Sequence, residues 1–269
     1  MNKKRIFNQI LKNIKTVKIQ GARNIAKKAL YAYSLFPSSS TKKKLLALRP
    51  TEPMLVNVLH RLNTQKQEEI YSHFDVSQDQ INKEVFQLIK NNDLIYTHCH
   101  STNVVQALIY TKKKGKSFAV CNTETRPLFQ GRKTAQELKK AGISVTMFVD
   151  SAFDTIISGD KKVNKIFLGA DALLKKGVIN KIGSRTIAKL AKSSKVPVYV
   201  IADSWKYSPK RIKIEERDFH EIWNKTPKNS HIKIKNPAFE FVPKKYIHRI
   251  ISELGNLKYK EFLRKAKKN

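Results

Sequence analysis

Residues 93–121 read DLIYTHCHSTNVVQALIYTKKKGKSFAVC and set the architecture of the chain. Two short apolar runs, at 93–99 and 116–121, flank a segment at 104–113 whose apolar residues recur at helical spacing. Continuous apolar runs of this length are typical of strands buried on both faces of a parallel sheet. The stretch therefore predicts a strand, a helix and a second, parallel strand.

The same alternation continues toward the C-terminus. Three further apolar runs lie at 144–149, 165–169 and 196–202, and helix-like segments at 134–141 and 185–192 accompany them. Repeated units of this kind place helices on the faces of one buried sheet. We therefore predict a parallel sheet that contains all of these strands.

The chain before this region has only helical periodicity. Ile6, Ile10 and Ile14 show the spacing of one helix face, and similar patterns follow. We therefore predict an α/β protein in which an N-terminal helical domain, residues 1–90, is followed by a parallel-sheet domain, residues 91–269. A chain of 269 residues is long enough for one large domain or two small ones.

Polar residues collect where the predicted strands end. Thr97, His98 and Cys99 end the first strand, Arg126 lies in the cluster after the second, and Asp171 follows the fourth. In open parallel sheets, ligands bind outside the carboxyl ends of the strands. Helix caps and loop residues explain some of these clusters, but they explain Cys99, Arg126 and Asp171 poorly. We therefore predict a ligand site at this edge.

Cys99 and Asp171 are the residues best suited to proton transfer. Cys99 lies where a strand leads into a helix, and the helix dipole there is expected to favour a thiolate. A cysteine so placed can act as a nucleophile or as a general acid or base. Asp171 is followed by apolar residues, a setting that also suits proton transfer. His98 and His100 flank Cys99, but alternation along a strand places Cys99 on the opposite face from the two histidines, so the triplet does not converge and we predict no metal site.

Three other polar residues are candidates for binding an anion. Arg126 is one of only 11 arginines, and its planar guanidinium can hold a phosphate through two hydrogen bonds. A structural ion pair with Glu124 is the alternative. Asn180 and Lys181 precede a predicted helix start at Gly183, where phosphates bind readily. An ordinary exposed turn explains Asn180 and Lys181 equally well.

The chain is strongly basic, with 54 Lys plus Arg against 21 Asp plus Glu and a formal net charge of +33. Such a field attracts nucleic acids, acidic membranes and polyanionic substrates alike. The lysines are scattered along the whole length, however, which favours a general compositional bias over a dedicated nucleic-acid surface. The 41% of hydrophobic residues excludes global disorder.

Several classes of protein are disfavoured by what the sequence lacks. Cys99 and Cys121 are the only cysteines and have no CxxC spacing, so we predict neither a disulfide framework nor structural zinc. No apolar run is long enough for a signal peptide or a membrane span, and we expect a soluble cytoplasmic protein. Walker, GxGxxG and HExxH motifs are absent, which argues against nucleotide-hydrolysing and zinc-protease chemistry.

Six longer motifs occur in order along most of the chain. They are Ile19-Gln20-Gly21-Ala22, Arg49-Pro50-Thr51, ETRPLFQG at 124–131, Gly169-Ala170-Asp171, Asn180-Lys181-Ile182-Gly183 and Asn236-Pro237-Ala238-Phe239. Together they resemble the superfamily of the translation initiation factor 2B alpha, beta and delta subunits and the sugar-phosphate aldose–ketose isomerases. The resemblance implies a Rossmann-like second domain and a homo-oligomer, either a dimer or a hexamer of dimers.

Within this superfamily, the ribose-1,5-bisphosphate isomerases carry a catalytic Cys in a Thr-His-Cys string and a catalytic Asp in Gly-Ala-Asp. These residues correspond to Cys99 and Asp171. The resemblance therefore implies an intramolecular oxidoreductase that converts ribose 1,5-bisphosphate to ribulose 1,5-bisphosphate in AMP breakdown, without a metal or other cofactor. The residues implied to bind the sugar bisphosphate are Gly21, Ala22, Arg49, Ser101, Arg126, Asn180, Lys181 and Lys206.

Two other activities stay open at this point. Gln20 stands where the bisphosphate isomerases usually have Arg, as in translation-factor-like members, so a non-catalytic regulatory subunit is the first alternative. The second is a methylthioribose-1-phosphate isomerase. Those enzymes typically set their cysteine in Cys-Asn-Ala-Gly, which the segment 99–102 does not match.

Overall fold

A computed structural model describes residues 2–16, 18–49, 52–159, 161–214, 216–225 and 231–268. In them, a set of N-terminal helices precedes a Rossmann-like α/β part, which confirms the predicted fold class. Pro50 and Thr51, which belong to one of the motifs above, lie outside the described residues.

Five helices form the N-terminal part. Their bounds are α1 (Lys3–Lys15), α2 (Ala22–Leu35), α3 (Ser39–Leu48), α4 (Pro53–Arg61) and α5 (Gln67–Leu88). Ile14, Ile25, Leu45 and Leu59, one from each of α1 to α4, are buried in a shared cluster. Burial of these apolar faces is what holds the first four helices together.

The second part is built on a seven-stranded sheet with the order β10-β9-β7-β4-β1-β2-β3. The described strands are β1 (Leu94–Thr97), β2 (Ala119–Thr123), β3 (Ser144–Phe148), β4 (Lys165–Leu168), β5 (Ala172–Leu174), β6 (Gly177–Lys181), β7 (Val198–Ile201), β8 (Phe239–Pro243), β9 (Arg249–Ser252) and β10 (Gly255–Leu257). Only β10 runs antiparallel to its neighbour in this sheet. The five apolar runs of the sequence became β1, β2, β3, β4 and β7, as predicted.

The order of the strands reverses between β1 and β4. From β1 the chain moves outward to β2 and β3, and it then returns to form β4 on the other side of β1. Tyr96 at the centre of β1 lies opposite Cys121 of β2 and Ile166 of β4. Connections that leave in opposite directions open a crevice at the carboxyl ends of such a strand pair.

Five helices accompany this sheet in the described chain. They are α6 (Thr102–Lys113), α7 (Gln130–Lys140), α8 (Phe153–Ser158), α9 (Ser184–Ser193) and α10 (Tyr259–Ala266). The segments predicted to be helical correspond to α6, α7 and α9. Helix α5 also packs here, because its residues Ile81 and Val85 share a buried cluster with Ile95 and Leu108. A domain boundary near residue 90 stays a prediction.

A second, smaller sheet with the order β5-β6-β8 was not predicted. Its strands are antiparallel, and Ile179 of β6 lies opposite Ala172 of β5 and Phe241 of β8. Asn180 and Lys181 are buried in strand β6, so the alternative that placed them in an exposed turn is wrong. None of the described helices combines the length and the apolar character needed to cross a membrane.

Candidate active site

A cavity of about 140 Å³ opens near the carboxyl ends of β1 and β4, between the sheet and the N-terminal helices. Its lining comes from the segments after β1 and β4, from strand β6, and from the start of helix α2. Every predicted site residue except Arg126 lines it, namely Gly21, Ala22, Arg49, Cys99, Ser101, Asp171, Asn180, Lys181 and Lys206.

Cys99 follows β1 with a left-handed backbone, at a φ of 66°. Burial, together with the negative charges of Asp171 and Asp150, raises the pKa of its thiol to about 11, although Lys181 acts in the opposite direction. The expectation of a thiolate is therefore wrong. Helix α6 begins only at Thr102, so Cys99 lies outside its first turn, and the burial of the thiol dominates. At neutral pH Cys99 holds its proton.

Asp171 lies in the turn between β4 and β5, where its backbone N–H donates to the carbonyl oxygen of Ile179 at 2.8 Å. Its side chain lines the same cavity as Cys99 and lies within electrostatic reach of the thiol. Gly169, two residues earlier, permits this arrangement. A Cβ atom there would lie 2.7 Å from Cβ of Ser101, so only glycine lets the two segments approach so closely.

Lys181 and Lys206 are both buried beside the cavity, which is rare for lysine. Nζ of Lys206 donates to the carbonyl oxygen of Ala170 at 2.7 Å, and Nζ of Lys181 lies 4.9 Å from the ring centre of Phe239. Among the residues that the structure describes, neither ammonium group pairs with a carboxylate. Buried charges require compensation, so the two lysines favour an anionic ligand.

Two helix N-termini also border the cavity. Gly21 caps helix α2 with a φ of 83°, a left-handed conformation that glycine adopts without strain. Ala22 begins that helix, and Ser101 occupies the cap position of α6. Helix N-termini favour anions because their first N–H groups have no partner within the helix. Arg49, also buried here, bonds Glu52 at 3.0 Å.

Arg126 lies apart from the cavity lining. Its guanidinium donates to the carbonyl oxygen of Ile222 at 3.3 Å and lies over the ring of Phe129. The ion pair predicted as the alternative role of Arg126 is not present either, because Glu124 pairs with Arg132 at 2.9 Å. A substrate-binding role for Arg126 stays a prediction that would need this side chain to turn.

His98, which also lines the cavity, bonds two neighbouring segments. Its Nε2–H donates to the carbonyl oxygen of Ile182 at 2.8 Å, and in the neutral ring Nδ1 then accepts from Thr123 Oγ1, also at 2.8 Å. The carbonyl can only accept, which fixes the tautomer. Burial lowers the pKa of His98. This histidine therefore joins β1 to the loop before α9 and carries no charge into the cavity.

Sequence reasoning missed several polar residues of the lining. Lys133 and Gln130 come from helix α7, and Arg217 comes from the long connection between β7 and β8. Lys133 could have been suspected, because it lies in the helix that follows the polar cluster after β2. No signal in the sequence points to Arg217, since it reaches the cavity only because the connection between β7 and β8 folds back over it.

A second group of titratable side chains, one buried and two half-buried, lies at the joint between the helices and the sheet. We call His73, Asp203 and Glu253 the joint cluster. Nε2 of His73 lies 3.1 Å from Asp203 Oδ1, and Ser77 Oγ donates to Asp203 Oδ2 at 2.7 Å. The backbone N–H of Ser204 lies 3.1 Å from Glu253 Oε2. This cluster was not predicted, because its members are far apart in the sequence.

The pKa values of the two carboxyl groups in the joint cluster are shifted in opposite directions. Burial by itself raises the pKa of Asp203, but the interactions with His73 and the hydrogen bonds from Ser77 and the Trp205 backbone N–H outweigh it, so the net pKa is lowered. Burial and the neighbouring charge of Asp203 raise the pKa of Glu253. The His73 ring stacks on Trp205 at 3.4 Å, and the Arg61 guanidinium lies 4.3 Å from the same indole.

The fold and the cavity define a class of protein with N-terminal helices on a Rossmann-like sheet and a cationic pocket at the sheet's carboxyl edge. Residues 17–259 match the initiation factor 2 subunit family. The chain belongs to this family.

Individual relatives carry several names. Ribose 1,5-bisphosphate isomerase of Methanocaldococcus jannaschii is 35% identical, with 95% of this chain and 92% of that protein covered. Methylthioribose-1-phosphate isomerase of Exiguobacterium sibiricum is 33% identical, with 80% of this chain and 72% of that protein covered. The crystal structure of translation initiation factor eIF-2B from Pyrococcus horikoshii OT3 is 25% identical in sequence, with 94% of this chain and 96% of that chain covered and a TM-score of 0.81.

Proposed function

We propose that this protein is a sugar-phosphate isomerase that converts ribose 1,5-bisphosphate to ribulose 1,5-bisphosphate. One observation carries the proposal: Cys99 and Asp171 line one cavity together with the buried ammonium groups of Lys181 and Lys206. The isomerisation of a sugar bisphosphate needs two proton-transfer groups and cations for the phosphates, and neither of these two lysines pairs with a carboxylate among the described residues. The relatives that are named as isomerases support the same activity.

The reaction moves four protons and needs no oxidant. The ring oxygen O4 gains a proton as the C1–O4 bond breaks, and C2 loses a proton as the C1–C2 double bond forms. C1 then gains a proton, and the C2 hydroxyl loses one as the carbonyl forms. Two protons are removed and two are delivered, so two acid–base groups are sufficient.

The raised pKa of Cys99 suggests how the steps are divided. Cys99 holds its proton at neutral pH, so it is the donor to O4, and the resulting thiolate can later take the proton of the C2 hydroxyl. The carboxylate of Asp171 then removes the C2 proton and returns it to C1. Each group ends the cycle in its starting form, as a catalyst must.

Binding of the two phosphates falls to the cationic lining and the helix starts. Lys181, Lys206 and Arg49 supply charge, and the first N–H groups of α2 and α6 supply hydrogen-bond donors. Asn180 has a fixed orientation for binding a sugar hydroxyl, because its Nδ2 donates to Ser184 Oγ at 2.8 Å. Its Oδ1 is then the atom left to accept a hydrogen bond from a ligand.

The test is turnover of ribose 1,5-bisphosphate, followed by the appearance of ribulose 1,5-bisphosphate in NMR spectra. Cys99→Ala should lower kcat by at least about 1,000-fold, in the range of acid–base residues. Cys121→Ala is the matched control, since Cys121 is buried in β2 away from the cavity. A wild-type protein without turnover, or an active Cys99→Ala variant, would refute the assignment.

Two alternatives are separated by the same assay. Because of the relative from Exiguobacterium sibiricum, methylthioribose 1-phosphate is the substrate to compare. We expect the bisphosphate to give the higher kcat/KM, because the two buried lysines can bind its second phosphate. Gln20, which lines the cavity, favours a non-catalytic regulatory role. Tight binding of sugar phosphates without any turnover would support that role.

We also propose that the protein is a cytoplasmic homo-oligomer that acts in AMP breakdown. Strand β3 supports self-association, because Met147 and Val149 are exposed at this edge of the sheet. Apolar edge strands usually need a partner. Light scattering after gel filtration would report the mass in solution, and a monomer at micromolar concentration would contradict the oligomer.

A further inference from the structure

The backbone of Cys99 is held by two threonine hydroxyl groups. The Cys99 N–H donates to Thr125 Oγ1 at 3.0 Å, and the Cys99 carbonyl oxygen accepts from Thr134 Oγ1 at 2.9 Å. The two threonines come from different elements, the loop after β2 and helix α7. Both bonds go to the backbone, so they control the conformation of Cys99 without engaging its thiol.

Thr125 itself adopts a conformation that threonine avoids. It is fully buried, and its φ is 63°, in the left-handed region that is a genuine outlier for a β-branched residue. Residues held in such regions persist only where their surroundings enforce them, and they cluster at functional sites. Two residues with positive φ, Cys99 and Thr125, are joined here by one hydrogen bond.

Asp150 enforces the conformation of Thr125. Its Oδ1 accepts the backbone N–H of Thr125 at 2.8 Å, and its Oδ2 accepts the N–H of Arg126 at 2.7 Å. Both carboxylate oxygens are therefore used on adjacent peptide groups of the same loop. The Thr125 hydroxyl also donates to the carbonyl oxygen of Thr123 at 3.2 Å, which orients its lone pairs toward Cys99.

We propose that Thr125, held in place by Asp150, is a positioning residue that fixes the left-handed backbone of Cys99 and so aims the thiol into the cavity. Neither Thr125 nor Asp150 lines the cavity, and so neither acts on the substrate directly. The expected effect of Thr125 on kcat rests on the proposed isomerase function, whereas its expected effect on the position of the Cys99 thiol does not.

The kinetic test compares three variants. Thr125→Val keeps the shape but removes the acceptor for the Cys99 N–H, and we expect kcat to fall about 100-fold with KM nearly unchanged, as for a small misplacement of a reacting group. Thr125→Ser keeps the hydroxyl and should restore kcat to within about threefold of wild type. Thr111→Val is the matched control: Thr111 is equally buried, but its hydroxyl bonds Ala107 within α6, away from the cavity.

The second readout is the rate at which iodoacetamide alkylates Cys99, measured against pH, with Cys99→Ala giving the background from Cys121. In the wild type the reactive thiolate should form with a pKa of about 11. In Thr125→Val the thiol leaves its buried position, so the profile should move to lower pH. A fall of about one pH unit would make alkylation at pH 8 about tenfold faster.

The two readouts keep the failures distinct. If the wild type does not isomerise the sugar, the proposed function fails, but a shifted alkylation profile in Thr125→Val still supports the positioning role. If Thr125→Val does not fold, Asp150→Asn tests the same loop through kcat, because it removes one acceptor from the loop. Its alkylation profile is not used, since loss of the negative charge by itself lowers the pKa of the thiol. Wild-type kcat and an unshifted profile in the folded variant, or a Thr125→Ser variant that restores neither, would overturn the proposal.

Discussion

The cavity and the joint cluster both bury charged side chains between the helices and the sheet, but they satisfy those charges differently. In the joint cluster, His73, Asp203 and Glu253 bond one another or nearby backbone. In the cavity, the charges of Lys181 and Lys206 meet carbonyl and aromatic groups only, among the described residues. The first arrangement is complete in itself, whereas the second is completed by a ligand.

This difference predicts which property each region controls. Substitutions in the joint cluster should therefore change stability, and breaking the Asp203–His73 pair should lower it because an uncompensated charge is left. Active sites keep charges that are unfavourable without substrate, so substitutions of the charged cavity residues should lower activity and leave stability equal or higher. Each experiment below measures both properties, and any substitution of a charged residue that affects the wrong one counts against the comparison.

The largest effect is expected for Asp171→Asn. Removal of the carboxylate that takes the C2 proton should lower kcat about 1,000-fold or more, while the free energy of unfolding changes by less than about 0.5 kcal/mol. Urea unfolding and turnover measure the two quantities. Asp154→Asn, at an exposed position in α8, is the control and should change neither. A large loss of stability in Asp171→Asn would indicate that Asp171 has a structural role and not a catalytic one.

Asp203→Asn should have the opposite profile. It removes the charge that pairs with His73, so we expect a loss of about 3 kcal/mol in the free energy of unfolding, with kcat changed less than about threefold. Because the pKa of Asp203 is lowered, its contribution is present above the ordinary pKa of 3.8 and is lost as the pH falls through the folded value. The stability difference should therefore shrink in acid.

The control for that experiment is Asp218→Asn, because Asp218 also contacts a histidine, His220, but at an exposed site. We expect this change to cost little. Equal losses for Asp203→Asn and Asp218→Asn would mean that burial of the joint cluster does not set its energy.

Gly169→Ala tests the close approach behind the cavity. The added Cβ would lie 2.7 Å from Cβ of Ser101, so the segments after β1 and β4 must separate. We expect about 1–2 kcal/mol less stability from the overpacking and about a tenfold loss of kcat/KM. Adding Ser101→Gly removes the struck atom and should restore the stability. No change in either property would show that the two segments separate without cost.

The smallest effect is expected for Glu253→Gln. Because the pKa of Glu253 is raised, the favourable contribution of its protonated form is complete below the ordinary pKa of 4.5 and is lost as the pH rises through the folded value. The neutral amide avoids that loss, so the variant should be more stable at pH 7 by less than about 1 kcal/mol and equal to wild type at pH 4. A variant that is less stable at pH 7 would contradict this sign.

Features that depend on neighbouring residues in the sequence could be predicted, whereas features that depend on contacts between distant residues could not. The runs that became β1 to β4 and β7 were readable because a strand buried on both faces is apolar throughout. The three-stranded sheet was missed because Phe239 of β8 pairs with Lys181 of β6, although a long connection separates the two strands in the sequence. A pairing at that separation leaves no local pattern to read.

The candidate site divides in the same way. Cys99 and Asp171 could be found because each follows a readable strand and belongs to a motif. Arg126 also belongs to a motif, but its side chain lies over Phe129, and no motif specifies a rotamer. The thiolate expected at Cys99 was wrong because burial, which outweighed the nearby helix, depends on the whole fold.

Helix α5 has a consequence for how the protein unfolds. Its first half contributes Ile70 and Phe74 to a cluster with the N-terminal helices, and its second half contributes Ile81 and Val85 to the core of the sheet. One continuous helix thus belongs to two cores. Neither core can lose its order without exposing half of α5, so amide hydrogens along the whole helix should exchange with solvent at a common, slow rate.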